Sequence, residues 1–148
     1  MNNGIFITSF RVIAGKLLLP VLLTGTLNAY ADVAVIVNPG NNDTLDKDAI
    51  SAIYLGKEKS FPSGNKAIPL DLENGASERV EFLTKVLDKN EGQYRVYWSR
   101  KTFSGKGVPP QVVNSASAVK EMVSRNPDAI GFINASAVDD SVKVVATF

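Results

Sequence analysis

Apolar residues in this chain follow two rhythms. The first is the short continuous run: Val33–Val37 (VAVIV), residues 67–72, residues 129–133 and residues 142–145. Such runs, bounded by turn residues, predict strands. VAVIV has no polar position at all and predicts a strand covered on both faces. The second rhythm is helical, with apolar residues at i, i+3, i+4 and i+7. Ala49, Ile50, Ile53 and Tyr54 form one such face. Val80, Leu83 and Leu87, with Phe82 and Val86 beside them, form another in a helix over residues 76–87. Tyr94, Tyr97 and Trp98 mark a helix over residues 92–103, and Ala118, Val119, Met122 and Val123 one over residues 117–125.

Breakers separate these segments. Asn38-Pro39-Gly40 ends the first strand, and Asp46 or Thr44 is placed to cap the first helix, which Gly56 closes. Residues 57–66 form a loop around Pro62 and Gly64, and Glu73-Asn74-Gly75 makes a turn. Ser104-Gly105-Lys106-Gly107 with Pro109-Pro110 makes another loop, and Asn126-Pro127 ends the last helix. Strands alternating with helices predict an α/β or mixed α+β fold, a central sheet flanked by helices.

The first 31 residues stand outside that pattern. Arg11 and Lys16, with no acidic residue, lead into the apolar run 17–27, and Ala29-Tyr30-Ala31 follows as an A-x-A ending. This predicts a secretory signal peptide cleaved after Ala31. The run is shorter than the roughly 20 residues of a membrane span, and Pro20 and Gly25 interrupt it. With no cysteine there is neither a disulfide framework nor a lipid anchor at the cleavage site, so a periplasmic address is expected. Residues 32–148 have the length of one domain. Losing Arg11 and Lys16 takes the formal charge from +1 to −1, which leaves no electrostatic footprint for nucleic acid.

Composition narrows the chemistry further. Without His or Cys the chain has no Ser-His-Asp or Cys-His catalysis, no zinc site with N or S ligands and no c-type haem attachment. Arg100 stands where a Walker A motif needs glycine. Asp43, Asp46 and Asp48 lack the loop glycine and terminal Glu of an EF-hand, and Glu73 with Glu78 makes no defined glycosidase pair. The aromatic stripe on the third helix fits core packing better than a nucleic-acid platform. The expectation is a protein that is not an enzyme and carries no metal or cofactor.

Ligand chemistry enters at the turn after the second strand. Strand, Glu73-Asn74-Gly75 and helix follow one another directly. The first helical N–H groups lack an intrahelical partner and carry the positive end of the helix dipole, so an anion can be held there. The same sequence also makes an ordinary scaffold turn.

Several stretches, in order, resemble the phosphate-type periplasmic substrate-binding proteins of ABC importers. Asn38 after an apolar strand, then Ile53-Tyr54-Leu55-Gly56-Lys57, is similar to the "IFLGK" segment of their second lobe. Phe82 to Leu87 (FLTKVL), Phe103 to Gly107 (FSGKG) and Asn126 to Phe132 (NPDAIGF) match later segments of that family. The resemblance implies one lobe of a type II periplasmic-binding-protein fold, with ligand contacts from Asn38, Pro39, Asn74, Gly75, Ala76, Ser77, Glu78 and Arg79. Aligned on Phe82, the family's Arg-x-x-Gly-Ser-Gly-Thr turn falls on Leu72, Gly75 and Ala76-Ser77-Glu78. Ser77 then supplies a hydroxyl and Arg79 a cation, while Glu78 either opposes an anion or complements its own helix N-terminus. Weak binding of phosphate or another small oxyanion is implied. The alternative is a single-lobe interaction module that has lost its ligand and docks on a membrane sensor or transporter.

Overall fold

The computed structural model describes residues 31–148. The segment read as a signal peptide lies almost wholly outside the described residues. In chain order the elements are β1 (Val33–Val37), α1 (Lys47–Tyr54), β2 (Ile68–Leu72), α2 (Ser77–Lys85), α3 (Glu91–Phe103), β3 (Gln111–Val113), α4 (Ala116–Arg125), β4 (Ala129–Asn134), a 3₁₀ turn (Ala135–Ala137) and β5 (Lys143–Thr147). The strands form one sheet in the order β3-β2-β4-β1-β5. β2 runs parallel to β3 and β4, and β1 is antiparallel to both β4 and β5. The fold is mixed α/β, a five-stranded sheet flanked by four helices.

All five residues of β1 are buried, as a run without polar positions requires of a strand between two others with helices on both sides. β4 shows how the two faces divide, because successive side chains point to opposite sides. Phe132 stacks on Phe82 of α2 with ring centroids 4.1 Å apart, and Tyr54 of α1 tilts against both rings. The buried Tyr54 hydroxyl donates to Leu70 O at 2.9 Å, with Ile130 O at 3.2 Å, so it bridges β2 and β4 from above. On the other face Gly131 lets α4 approach, since a Cβ there would stand 2.4 Å from Val119 Cγ1.

Helix starts follow the sequence. Asp46, rather than Thr44, caps α1 by accepting from Ala49 N at 2.8 Å. Asn90 and Gln93 form a reciprocal capping box on α3, and Ser115 caps α4. Gly56 ends α1 in the left-handed region (φ 63°), where Lys101 Nζ donates to the terminal carbonyls of Leu55 and Gly56.

Two readings change. Val80 was expected on the buried face of α2 but is 43% exposed, while Arg79, Phe82, Leu83 and Val86 point inward. The periodic face begins at a cation, which a hydrophobic count skips. β3 was not anticipated at all. It has three residues, two of them exposed, and exists through its pairing with β2 rather than through any apolar run.

Gly131→Ala is expected to lower stability by about 1–3 kcal/mol, the usual cost of overpacking a fitted helix–sheet contact. Urea unfolding of the two proteins measures it.

Candidate anion site at the N-terminus of α2

From β2 the chain runs outward to β3 through α2 and α3, then returns past β2 to β4 through α4. Strand order therefore reverses between β2 and β4. Open α/β sheets bind ligands beyond the carboxyl ends of the strands at such a reversal. Two loops reach that rim: residues 73–76 after β2, and residues 134–137 after β4.

The topology divides the residues expected to share a ligand. Val37, at the end of β1, pairs with Ile130 at the start of β4, and Ile130 pairs with Pro69 at the start of β2. Asn38 and Pro39 thus leave the sheet at the amino ends of β2 and β4. Asn74, Gly75, Ala76, Ser77, Glu78 and Arg79 lie at the carboxyl ends. A five-residue strand spans roughly 16 Å, so one small anion does not touch both groups. Asn38 has structural work instead. Its Nδ2 donates to Val123 O and Ser124 O, closing the last turn of α4, and its Oδ1 accepts from Gly40 N. Pro39 is exposed.

The other six residues stay together. Gly75 adopts φ 84°, which glycine takes without strain. Ala76 occupies the N-cap of α2 and has no side-chain oxygen, so α2 starts without the side-chain cap that α1, α3 and α4 all have. Ser77 is exposed, and its hydroxyl lies 3.2 Å from Glu78 Oε2.

Arg79 lies beneath this turn rather than on its surface. Its side chain is only 8% exposed and faces three polar partners. Nε meets Asp71 Oδ1 at 3.1 Å, and Nη1 meets Glu91 Oε2 at 3.1 Å and also donates to Asn74 Oδ1. The guanidinium lies 5.5 Å from the centre of the Tyr94 ring. Asp71 is buried as deeply as its partner. Burial pushes its carboxyl up to about 6, against the opposing pull of Arg79 and of the Leu72 N–H it accepts from; the Glu91 charge adds to the rise.

Glu91 was not singled out from the sequence, where it reads as a first-turn acid of α3 beside the cap Asn90. Asn134, whose side chain accepts from Ser136 N at 2.9 Å and holds the loop after β4, was likewise missed. Both depend on contacts distant in sequence. Among the described residues no three His, Cys, Asp or Glu side chains gather to hold a metal. Asp43 instead accepts from Ser63, and Asp46 caps α1. Tyr94 and Trp98 are buried, and half-buried Tyr97 donates to Leu55 O at 2.6 Å, so the aromatic stripe of α3 is largely core.

No protein-family profile matches this sequence. Solved structures do. An ABC-type phosphate transport receptor from Vibrio cholerae superposes with a TM-score of 0.59 at 25% identity, over 78% of this chain and 47% of that one. A Clostridium perfringens protein described as a phosphate ABC transporter substrate-binding protein, solved with bound phosphate, gives 0.60 at 23% identity, over 78% and 45%. PstS from Borrelia burgdorferi gives 0.58 at 17%, over 78% and 47%. The chain thus resembles the phosphate-type substrate-binding proteins of ABC importers and spans less than half the length of these three. These are transport proteins, not enzymes, and the match corresponds to a single lobe.

The raised Asp71 carboxyl has a defined sign in stability. The folded chain holds this proton more tightly than the unfolded one, so the group's contribution is most favourable below about pH 4 and is lost as pH rises through 6. Between pH 4 and 7.5 the loss is expected to be about 2–3 kcal/mol. Urea unfolding across that range measures it, and Asp71→Asn is expected to lack this part of the slope.

Proposed function

We propose that this chain is an exported substrate-binding component of the phosphate-importer type, built as a single lobe. Residues 1–31 are a signal segment removed after Ala31, and residues 32–148 are one binding-protein-like domain of the periplasm. The domain takes phosphate, or another small oxyanion, weakly at the start of α2 and acts with an ABC-type membrane transporter. The observation that carries this reading is the uncapped N-terminus of α2 at the strand-order reversal, with the Arg79 guanidinium directly below it. The phosphate ligands and transport roles named for the Vibrio and Clostridium proteins support it.

The same geometry makes binding weak. Arg79 already faces two carboxylates, and Glu78 stands in the first turn of the helix that would receive the anion. Like charges a few ångströms apart cost on the order of 1 kcal/mol in water and more where water is excluded. Affinity in the millimolar range, about −4 kcal/mol, is what remains.

A second reading rests on a separate observation. Phe103, Val108 and Val112 are 96%, 84% and 58% exposed, close to the edge of β3 that has no partner strand among the described residues. Exposed apolar side chains beside a free strand edge suit a protein partner. On this reading the lobe docks on a membrane transporter or sensor without a ligand of its own.

Titrating the purified protein with phosphate at low salt, followed by backbone amide NMR, tests the first reading. Saturable shifts are expected at Asn74, Gly75, Ser77, Glu78 and Arg79, with Gly40 at the other end of the sheet unmoved. A flat response rejects phosphate as its ligand. For docking, Phe103→Ser is expected to leave the melting temperature unchanged and to abolish capture of a membrane protein from envelope extract. Equal capture by both proteins rejects that surface.

A further inference from the structure

Glu91 belongs to α3, yet its carboxylate reaches back to the α2 turn. Oε2 lies 3.1 Å from Arg79 Nη1, and Oε1 lies 3.4 Å from Gly75 N. One carboxylate therefore spans the guanidinium and the turn amide, the pair of donors an incoming oxyanion would use at this corner. Helix α3 does not need Glu91 as a cap, because Asn90 and Gln93 already close its first turn reciprocally.

We propose that the Glu91 carboxylate is a tethered anion that occupies the oxyanion position at the Arg79–Gly75 corner and sets the threshold for any external ligand. This rests on the reading of the α2 turn as an oxyanion site. Burial supports it: the Glu91 side chain is 33% exposed against 8% for Arg79, so it forms the outer wall and can swing aside while Asp71 keeps the cation paired. There is room on the Asn74 and Arg79 side of the corner. A cavity of about 500 Å³ adjoins the corner, with Asp71, Asn74, Arg79, Tyr94 and Trp98 among its walls. The Tyr94 hydroxyl and the Trp98 indole N–H lie buried together in those walls, polar groups suited to an oxygen-rich ligand. Charge gives the direction. Arg79 with ionised Asp71 and Glu91 carries a net −1, and an anion that joins without displacing Glu91 meets that charge. An anion that displaces it exchanges one carboxylate for another oxyanion.

The experiment compares the full protein with Glu91→Gln and Glu91→Ala, each first shown to be folded by its amide spectrum. Phosphate and formate are the probes, and the Gly75 amide and Arg79 side-chain resonances are the readout. Glu91→Gln is expected to bind phosphate at least tenfold more tightly than the wild type. Formate is expected to return the Gly75 amide of Glu91→Ala toward its wild-type position. If formate does so while phosphate binds none of the proteins, the tethered anion stands and the phosphate reading falls. If phosphate binds the wild type and Glu91→Gln equally, the phosphate reading stands and the tethered anion is overturned. If neither probe moves Gly75 in Glu91→Ala, the tethered anion is likewise overturned.

Discussion

The constraint behind the functional end of this molecule is that the Arg79 guanidinium is buried and must be neutralised where it lies. Removing a cation from water costs several kcal/mol, recovered only where close counter-charges and hydrogen bonds surround it. Asp71 on β2 and Glu91 on α3 supply the charges, Asn74 an acceptor and Tyr94 an aromatic face. Those partners lie on three different elements. Satisfying one side chain therefore ties the end of β2, the turn of residues 73–76 and the starts of α2 and α3 into one unit. It also decides the electrostatics of the turn, because a cation with two carboxylates offers an outside anion far less than a free cation would.

The sheet decides where that unit faces. β1 lies antiparallel to its neighbours, so its loop emerges at the end of the sheet away from the turns after β2 and β4. Whatever approaches the start of α2 meets the 134–137 loop as its neighbour across the reversal in strand order, not the Asn38-Pro39 loop. The aromatic contact of Phe82 with Phe132 holds α2 over β4 and so keeps the start of that helix at the rim. A shift of α2 would carry its first amides, Arg79 and the bond to Asn74 with it.

Much of the fold could be read from the chain. VAVIV, buried throughout, needed only its composition, and Asp46 was placed as a cap because its side chain satisfies an amide that the helix does not; Asn90 and Ser115 do the same for α3 and α4 but were not singled out. The likeness to phosphate-type binding proteins was also legible from ordered short segments, and the solved structures share it over 78% of this chain. The site was legible only in part. The strand–glycine–helix turn was found, but Arg79 read as an available cation when it is buried. Glu91, sixteen positions beyond Gly75, carried no local signal.

What the sequence determined by itself is whatever depends on neighbours one to four positions apart. That covers strand and helix identity, the caps, the left-handed glycine in the turn, and the absence of His and Cys that removes whole classes of chemistry. Tertiary structure alone decided which loops share a rim, that β3 exists, that Val80 faces out while Arg79 faces in, and that a carboxylate from α3 fills the corner beside Gly75. The physical reason is range. Backbone hydrogen bonding and side-chain periodicity act along the chain. The pairing of a buried charge is settled by whatever the completed sheet and its helices bring within about 3 Å, and no spacing in the sequence records that distance.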